Sequence, residues 1–285
     1  MVEKIALITD STCDIPVEWI EQYDVTVVPL NIVWDGIEYL DGVDMKAEAF
    51  YERLDKETNH PTTSQPTPKS FLEAYQDAIN KGYQEIVVFT ISSAMSGTFE
   101  SARQAAQDFS SLVHVIDSKN NSMGLGWQVI AAARVRENGG NLDEILEAAK
   151  KVRDNIYYFI SLDTMEYLTK GGRIGDAVKF LSSVIKIKPL ICVKNDTGTV
   201  GASIPARSRK TAIDGLYKQF FKHINPDLPL HITVLHNAAL EEARQLAERV
   251  KNEFNPEELF ISIVSPVLGV HTGNRAIALC GYNEL

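Results

Sequence analysis

Ser96-Gly97-Thr98 places two hydroxyls around a glycine, between the apolar run Val87 to Phe89 and a helix-like segment beginning near Phe99. A turn that leaves a strand and opens a helix presents free backbone N–H groups at the positive end of the helix dipole, which favours a phosphate or carboxylate. Gly97 permits close backbone approach, and the hydroxyls of Ser96 and Thr98 donate to anionic oxygens without adding positive charge. Taken alone, the same residues also serve as an ordinary helix cap. Two more polar turns, Asp10-Ser11-Thr12 and Asp117-Ser118, end apolar runs, and Thr62-Thr63-Ser64-Gln65-Pro66 adds hydroxyls within a loop-like segment. Ligands of an open parallel sheet bind beyond the carboxyl ends of its strands, so these turns are expected along one edge. A serine nucleophile at Ser96 with His271 as base is the alternative, but neither G-x-S-x-G nor S-x-x-K surrounds Ser96. Gly124-Leu125-Gly126 lacks the third glycine of a dinucleotide fingerprint, no P-loop occurs, and the six histidines have no metal-like spacing.

The elements that must position these groups follow from apolar periodicity. Ile5 to Thr9, Glu85 to Ile91 and Leu112 to Ile116 read as strands buried on both faces. Ile15 to Tyr23 reads as a helix capped by Asp14, and Asp35-Gly36 turns a hairpin between Val25–Trp34 and Glu38–Leu40. Helices are expected at Ala47 to Leu54, Phe71 to Lys81, Phe99 to Phe109, Ser122 to Asn138 and Asn141 to Asn155, with Lys56 to Pro68 as a loop. Beyond it come a strand (Tyr157 to Leu162), helices (Thr164 to Leu168, Ala177 to Ile185), and a hairpin of Lys188–Lys194 with Thr199–Ile204. Ser208 to Phe221, Ile232 to His236, Ala239 to Phe254, Leu259 to Val264 and Ala276 to Gly281 then read as helix, strand, helix, strand, strand. The expected architecture is two α/β domains: residues 1–156, a parallel-sheet, Rossmann-like three-layer unit with a hairpin insertion near 25–42, and residues 157–285, a unit with a mixed sheet.

Composition narrows the function. The 285-residue chain is 45% hydrophobic and 23% charged, as ordinary globular proteins are. A net charge of -10 repels nucleic-acid phosphate. The widely spaced Cys13, Cys192 and Cys280 fit a reducing compartment rather than a disulfide framework, and neither a leader nor an apolar span appears, so a cytoplasmic protein without stable membrane insertion is expected.

Six segments occur together in order: Ile8-Thr9-Asp10-Ser11-Thr12, Thr63-Ser64-Gln65-Pro66, Ser92-Ser93-x-x-Ser96-Gly97-Thr98, Leu168-x-Lys170-Gly171-Gly172-Arg173-Ile174, Lys188-Pro189-Leu190-Ile191 and His271-Thr272-Gly273. In combination and spacing the chain resembles the DegV family of bacterial fatty acid-binding proteins over nearly its whole length. The resemblance implies a long-chain fatty acid held between two domains as ligand, with no cofactor, and no catalytic residue. It implies a carboxylate site at Thr63, Ser64, Ser96, Gly97, Thr98 and His271, with Arg207 at the head-group entrance or engaging a kinase. In bacteria that have the system, such proteins present the carboxylate to a separate ATP-dependent fatty acid kinase, which makes an acyl phosphate for phospholipid synthesis. Alternatives are a hydrolase or transferase for a small anionic substrate, and a lipid-sensing regulator. About fifteen methylenes at roughly 0.8 kcal/mol each supply on the order of 10 kcal/mol before binding costs, so a few neutral donors suffice to orient the head group. Acyl contacts are expected within Phe159 to Leu168 and Phe180 to Ile191. One departure stands beside the match: Asn274-Arg275 replaces the family's usual Pro-Gly-like turn after His271-Thr272-Gly273.

Overall fold

A computed structural model describes residues 4–180 and 187–284. The first half sets its strands among helices that are mostly amphipathic, the helix Met123–Glu137 being buried over most of its length. Its strands are β1 (Ile5–Asp10), β2 (Val25–Val28), β3 (Asn31–Trp34), β4 (Ile37–Leu40), β5 (Thr62–Ser64), β6 (Glu85–Thr90) and β7 (Val113–Asp117). Its helices are α1 (Val17–Gln22), α2 (Ala47–Lys56), α3 (Pro68–Asn80), α4 (Thr98–Ala105), α5 (Met123–Glu137) and α6 (Leu142–Asn155). β2, β1, β6 and β7 pair in that order as a parallel sheet. Every residue of β1 is buried, which is the condition of a strand covered on both faces. Parallel pairing brings the turns after β1, β6 and β7 to one edge, where the polar residues of the first half gather.

The second half contains β8 (Tyr157–Ser161), β9 (Leu190–Val193), β10 (Val200–Ala202), β11 (Leu230–His236), β12 (Glu258–Ile263) and β13 (Ile277–Asn283), with α7 (Glu166–Lys170), α8 (Arg209–Phe221), α9 (Leu240–Phe254) and α10 (Pro266–Thr272). Its six-stranded sheet runs β10-β9-β8-β13-β11-β12 and is mixed: β11 and β12 are parallel, the other neighbours antiparallel. The two halves are sewn together by polar contacts. Ser92 Oγ donates to the Gly198 carbonyl at 2.7 Å, Lys119 Nζ to the Asp196 carbonyl at 2.8 Å, and Tyr51 Oη to the Val264 carbonyl at 3.0 Å.

Four sequence expectations are corrected. Val25 to Trp34 is two strands in different sheets, because Pro29 lacks an N–H with which to continue a ladder. The segment from Lys56 to Pro68 is not all loop: β5 pairs antiparallel with β3 and closes a small sheet ordered β4-β3-β5. Asp14 does not cap α1; it is buried, its oxygens taken by Ser122 and by the Ser265 N–H. Between β12 and β13 lies a helix, α10, that periodicity did not mark. The expected helix Ala177 to Ile185 begins in a 3-10 turn, Gly175–Phe180, and the rest of that span lies outside the described residues.

Candidate functional site

Between the halves opens a pocket lined by side chains of both. Its apolar wall draws on both halves: Leu30, Ile91 and Met95 from the first, Ile160, Leu168, Ile191, Val193 and Val200 from the second, and Val267 and Leu268 from α10. Thr12, Thr63, Ser64, Gln65, Ser96, Asn121, Arg173, His271 and Thr272 supply its polar atoms.

Several of these polar groups form one connected cluster. Thr63 Oγ1 lies 2.9 Å from His271 Nε2. The other ring nitrogen, Nδ1, is buried without a hydrogen-bond partner among the described residues and packs against Gly171. Burial, followed by the charges of Arg173 and His60, lowers His271 to about 4, so the imidazole is neutral at ordinary pH. A neutral ring has a single N–H. Placed on Nε2, that proton is satisfied by Thr63 Oγ1, and the Thr63 hydroxyl is free to donate its own proton into the pocket. Ser96 Oγ lies 2.9 Å from Thr98 Oγ1 and accepts from the Thr98 N–H at 3.3 Å. Gly97 itself is the N-cap of α4, with no side-chain cap bond. A Cβ on Gly97 would fall 2.7 Å from Nε2 at the end of the exposed Gln65 side chain, so the turn packs directly against that side chain.

The predicted residues therefore divide. Thr63, Ser64, Ser96 and His271 line the pocket; Gly97 and Thr98 stand immediately behind Ser96 and shape it. Arg207 is exposed outside the lining and makes no hydrogen bond or ion pair among the described residues. Asp117 and Ser118 also stay out of the lining: the Asp117 carboxylate accepts instead from Ser93 Oγ at 2.5 Å. Of the segments expected to wall an acyl chain, Ile160, Leu168 and Ile191 do line it, while Leu181 to Lys186 lie outside the described residues. Arg173 carries the notable addition. Its guanidinium donates to two carbonyls, from Nη1 to Gly171 at 2.9 Å and from Nε to Met95 at 3.3 Å, and it forms no ion pair among the described residues. An uncompensated cation thus lies in the pocket wall; its motif was legible in Lys170-Gly171-Gly172-Arg173, its direction was not. The Asn274-Arg275 departure is also accommodated. Arg275 holds a left-handed backbone, φ 63°, that glycine adopts without strain, and its guanidinium lies 3.9 Å from Glu242.

Among the described residues no cluster of His, Cys, Asp or Glu is arranged to hold a metal ion, and no helix is long and apolar enough to cross a membrane. The fold and this pocket together define a two-domain α/β protein with an apolar, hydroxyl-tipped cavity between a parallel and a mixed sheet. A family model described as an uncharacterised protein of the DegV family matches residues 4–284, and the chain belongs to that family. A DegV domain-containing protein of Clostridium acetobutylicum is 34% identical, with 95% of this chain and 96% of that protein covered. A DegV family protein of Thermus thermophilus, whose structure concerns fatty acid binding, superposes with a TM-score of 0.92 at 30% identity, covering 99% of this chain and 100% of the other. A stearic acid-binding protein of Eubacterium ventriosum superposes with a TM-score of 0.87 at 26% identity, covering 99% and 98%.

Proposed function

We propose that this chain binds a long-chain fatty acid in the pocket between its two units, divided near residue 156, and presents the carboxylate to a separate ATP-dependent fatty acid kinase. The observation that carries the reading is the pairing of an apolar wall with a neutral donor set, Thr63 held by an uncharged His271 beside Ser96. Hydroxyl donors orient a carboxylate without a fixed salt bridge, which leaves an oxygen able to attack a phosphoryl group supplied by a partner. The relatives whose structures concern fatty acid binding support the ligand class. Ser64, Gly97 and Thr98 complete the carboxylate end, Arg173 raises the local potential for an anion, and exposed Arg207 is left free to meet the kinase or the phosphorylated head group.

Mass spectrometry of protein purified without added lipid is the direct test. A co-purified or exchangeable fatty acid is expected; its absence removes the carrier reading and leaves the small-anion enzyme. Ser96→Ala and Thr63→Val each remove a donor to a charged group, worth roughly 1.5–3 kcal/mol, so each raises the Kd for stearate about 10- to 100-fold. Unchanged affinity in both takes the carboxylate out of this site. Arg207→Ala keeps stearate affinity within about twofold, since no ligand-facing bond is lost, but slows phosphorylation by a cognate kinase. Weakened binding with normal phosphorylation reverses that assignment.

A further inference from the structure

Both His271 and Thr272 reach the pocket wall from the last turn of α10, so whatever fixes the end of this helix fixes the head-group cluster. Its start is clasped by carboxylates of the first half: Asp14 accepts from the Ser265 N–H at 2.8 Å and Asp41 from the Val267 N–H at 3.1 Å. Those bonds hold the first turn and leave the last one to other partners. The imidazole does not anchor it. Among the described residues Thr63 Oγ1 is the ring's single hydrogen-bond partner, so the ring goes where the helix end carries it.

The last turn is held by Asn237, which directly follows β11 and is 1% exposed. Its side-chain amide donates twice, from Nδ2 to Thr272 Oγ1 at 2.8 Å and to the Gly273 carbonyl at 2.7 Å. Thr272 Oγ1 in turn donates to the Leu268 carbonyl at 2.9 Å, and the Gly273 N–H to the Gly269 carbonyl at 2.8 Å, so one buried amide secures both the side-chain and the backbone closure of α10. The amide is itself fixed. The Asn237 N–H donates to the Ala276 carbonyl at 2.9 Å and its carbonyl accepts from the Arg275 N–H at 2.7 Å, which extends the antiparallel pairing of β11 with β13. Ala238 and Arg275, on either side of this pairing, hold left-handed backbones, φ 51° and 63°, a conformation that residues other than glycine keep only where surrounding bonds over-determine it. A second tie on the turn, from Asn274 Nδ2 to the Tyr51 carbonyl, is longer at 3.3 Å.

We infer that Asn237 is a positioning residue of the lipid site: from the end of β11 it pins the last turn of α10 and, through it, the Thr63–His271 pair that orients the carboxylate. The inference rests on the fatty acid reading above and adds to it a residue outside the pocket lining. Removing the two donated bonds leaves the buried Gly273 carbonyl unpaired, and the turn moves to find another donor. A shift of about 1 Å away from Thr63 takes His271 Nε2, now at 2.9 Å, beyond hydrogen-bond reach. The apolar wall is less sensitive, because burial of a chain is non-directional. Loss of Asn237 should therefore be felt by the head group and spare the tail.

Decanoate and decanol, which share a chain and differ in the charged head group, are the probes. Calorimetric titration should find Asn237→Leu, close to asparagine in shape, about 5- to 20-fold weaker than wild type for decanoate and within about twofold for decanol. In a Thr63→Val background the same substitution should add less than about twofold for decanoate, because the pair through which it acts is already broken. An equal loss on both ligands overturns the inference, as does a full loss repeated in the Thr63→Val background, or wild-type affinity in Asn237→Leu. If the wild type binds neither ligand, the fatty acid reading falls and the inference with it. Where Asn237→Leu does not fold, the wild type decides the matter through hydrogen exchange followed by NMR. The Asn237 side-chain amide protons should exchange at least about 100-fold more slowly than those of exposed Asn255, and more slowly again with decanoate bound, since a ligand that needs the pinned turn suppresses its opening. Rapid exchange, or a rate indifferent to decanoate, overturns the inference.

Discussion

Gly171→Ala should reduce stearate affinity about 10- to 100-fold while shifting thermal unfolding by no more than a few degrees. A Cβ at position 171 would fall 2.0 Å from His271 Nδ1 and 2.9 Å from its Cε1. The ring has little freedom to yield, since it is half-buried and held at its other end by Thr63. The backbone of position 171 is constrained as well: its N–H donates to the Tyr167 carbonyl at 2.9 Å, and its carbonyl accepts from Arg173. The added methyl must therefore turn the imidazole, which breaks the bond that orients the Thr63 proton. Losing an oriented donor to a charged ligand costs roughly 1.5–3 kcal/mol, which sets the expected range. Gly172→Ala is the control. There a Cβ meets open space, but φ is 69°, so the substitution costs about 1 kcal/mol of backbone strain without touching His271. Stearate titration of the two variants distinguishes a displaced imidazole from a generally perturbed loop. Wild-type affinity in Gly171→Ala would remove the Thr63–His271 pair from head-group recognition.

That pair also marks the boundary of what local sequence reveals. The hydroxyl turns after β1 and β6 were legible because an apolar run followed by polar residues and a helix is a local pattern, and parallel pairing then gathers them at one edge. The helix bearing His271 was not legible. Pro266 to Val270 are all buried, so α10 has no polar face to give it a period, and Gly269 sits where a Cβ would strike Phe50 and Tyr51 of α2. β5 escaped notice for another reason: three residues between Pro61 and Pro66 carry no alternation, and only β3 supplies their partner. Asp14 obeys the local rule for a cap residue and breaks it in fact. Its partners Ser122 and Ser265 lie 108 and 251 positions along the chain, a distance at which spacing carries no information. Family resemblance supplied Thr63, Ser96 and His271 together, whereas the direction of Arg173 and the clasp on α10 depend on how the halves meet.

How firmly the halves meet is tested at Trp127. This residue of α5 is 0% exposed and packs edgewise on Trp19 of α1 at 5.9 Å between ring centroids, and on His231 and Tyr282 of the mixed sheet at 5.8 and 5.7 Å. Phe260 of β12 approaches it at 5.4 Å. Trp127→Ala should cost about 3–5 kcal/mol of unfolding free energy, and the upper part of that range is expected because the void has rigid walls. His231 is pinned to Glu258 at 2.6 Å, Glu258 to Arg134 at 2.5 Å, and the His231 ring stacks on Tyr282, so these side chains cannot relax into the space. Trp127→Phe should recover most of the loss. It refills the greater part of the volume and removes an indole N–H that is buried without a hydrogen-bond partner among the described residues. Denaturant unfolding measures both variants, and a loss below about 1 kcal/mol in Trp127→Ala would show that this aromatic seam does not join the parallel and mixed sheets energetically. Trp127 is absent from the pocket lining, so the folded fraction of either variant should bind stearate as the wild type does. Loss of affinity in step with loss of stability would instead mean that the pocket forms only while the two halves stay locked, which makes the seam part of the binding device.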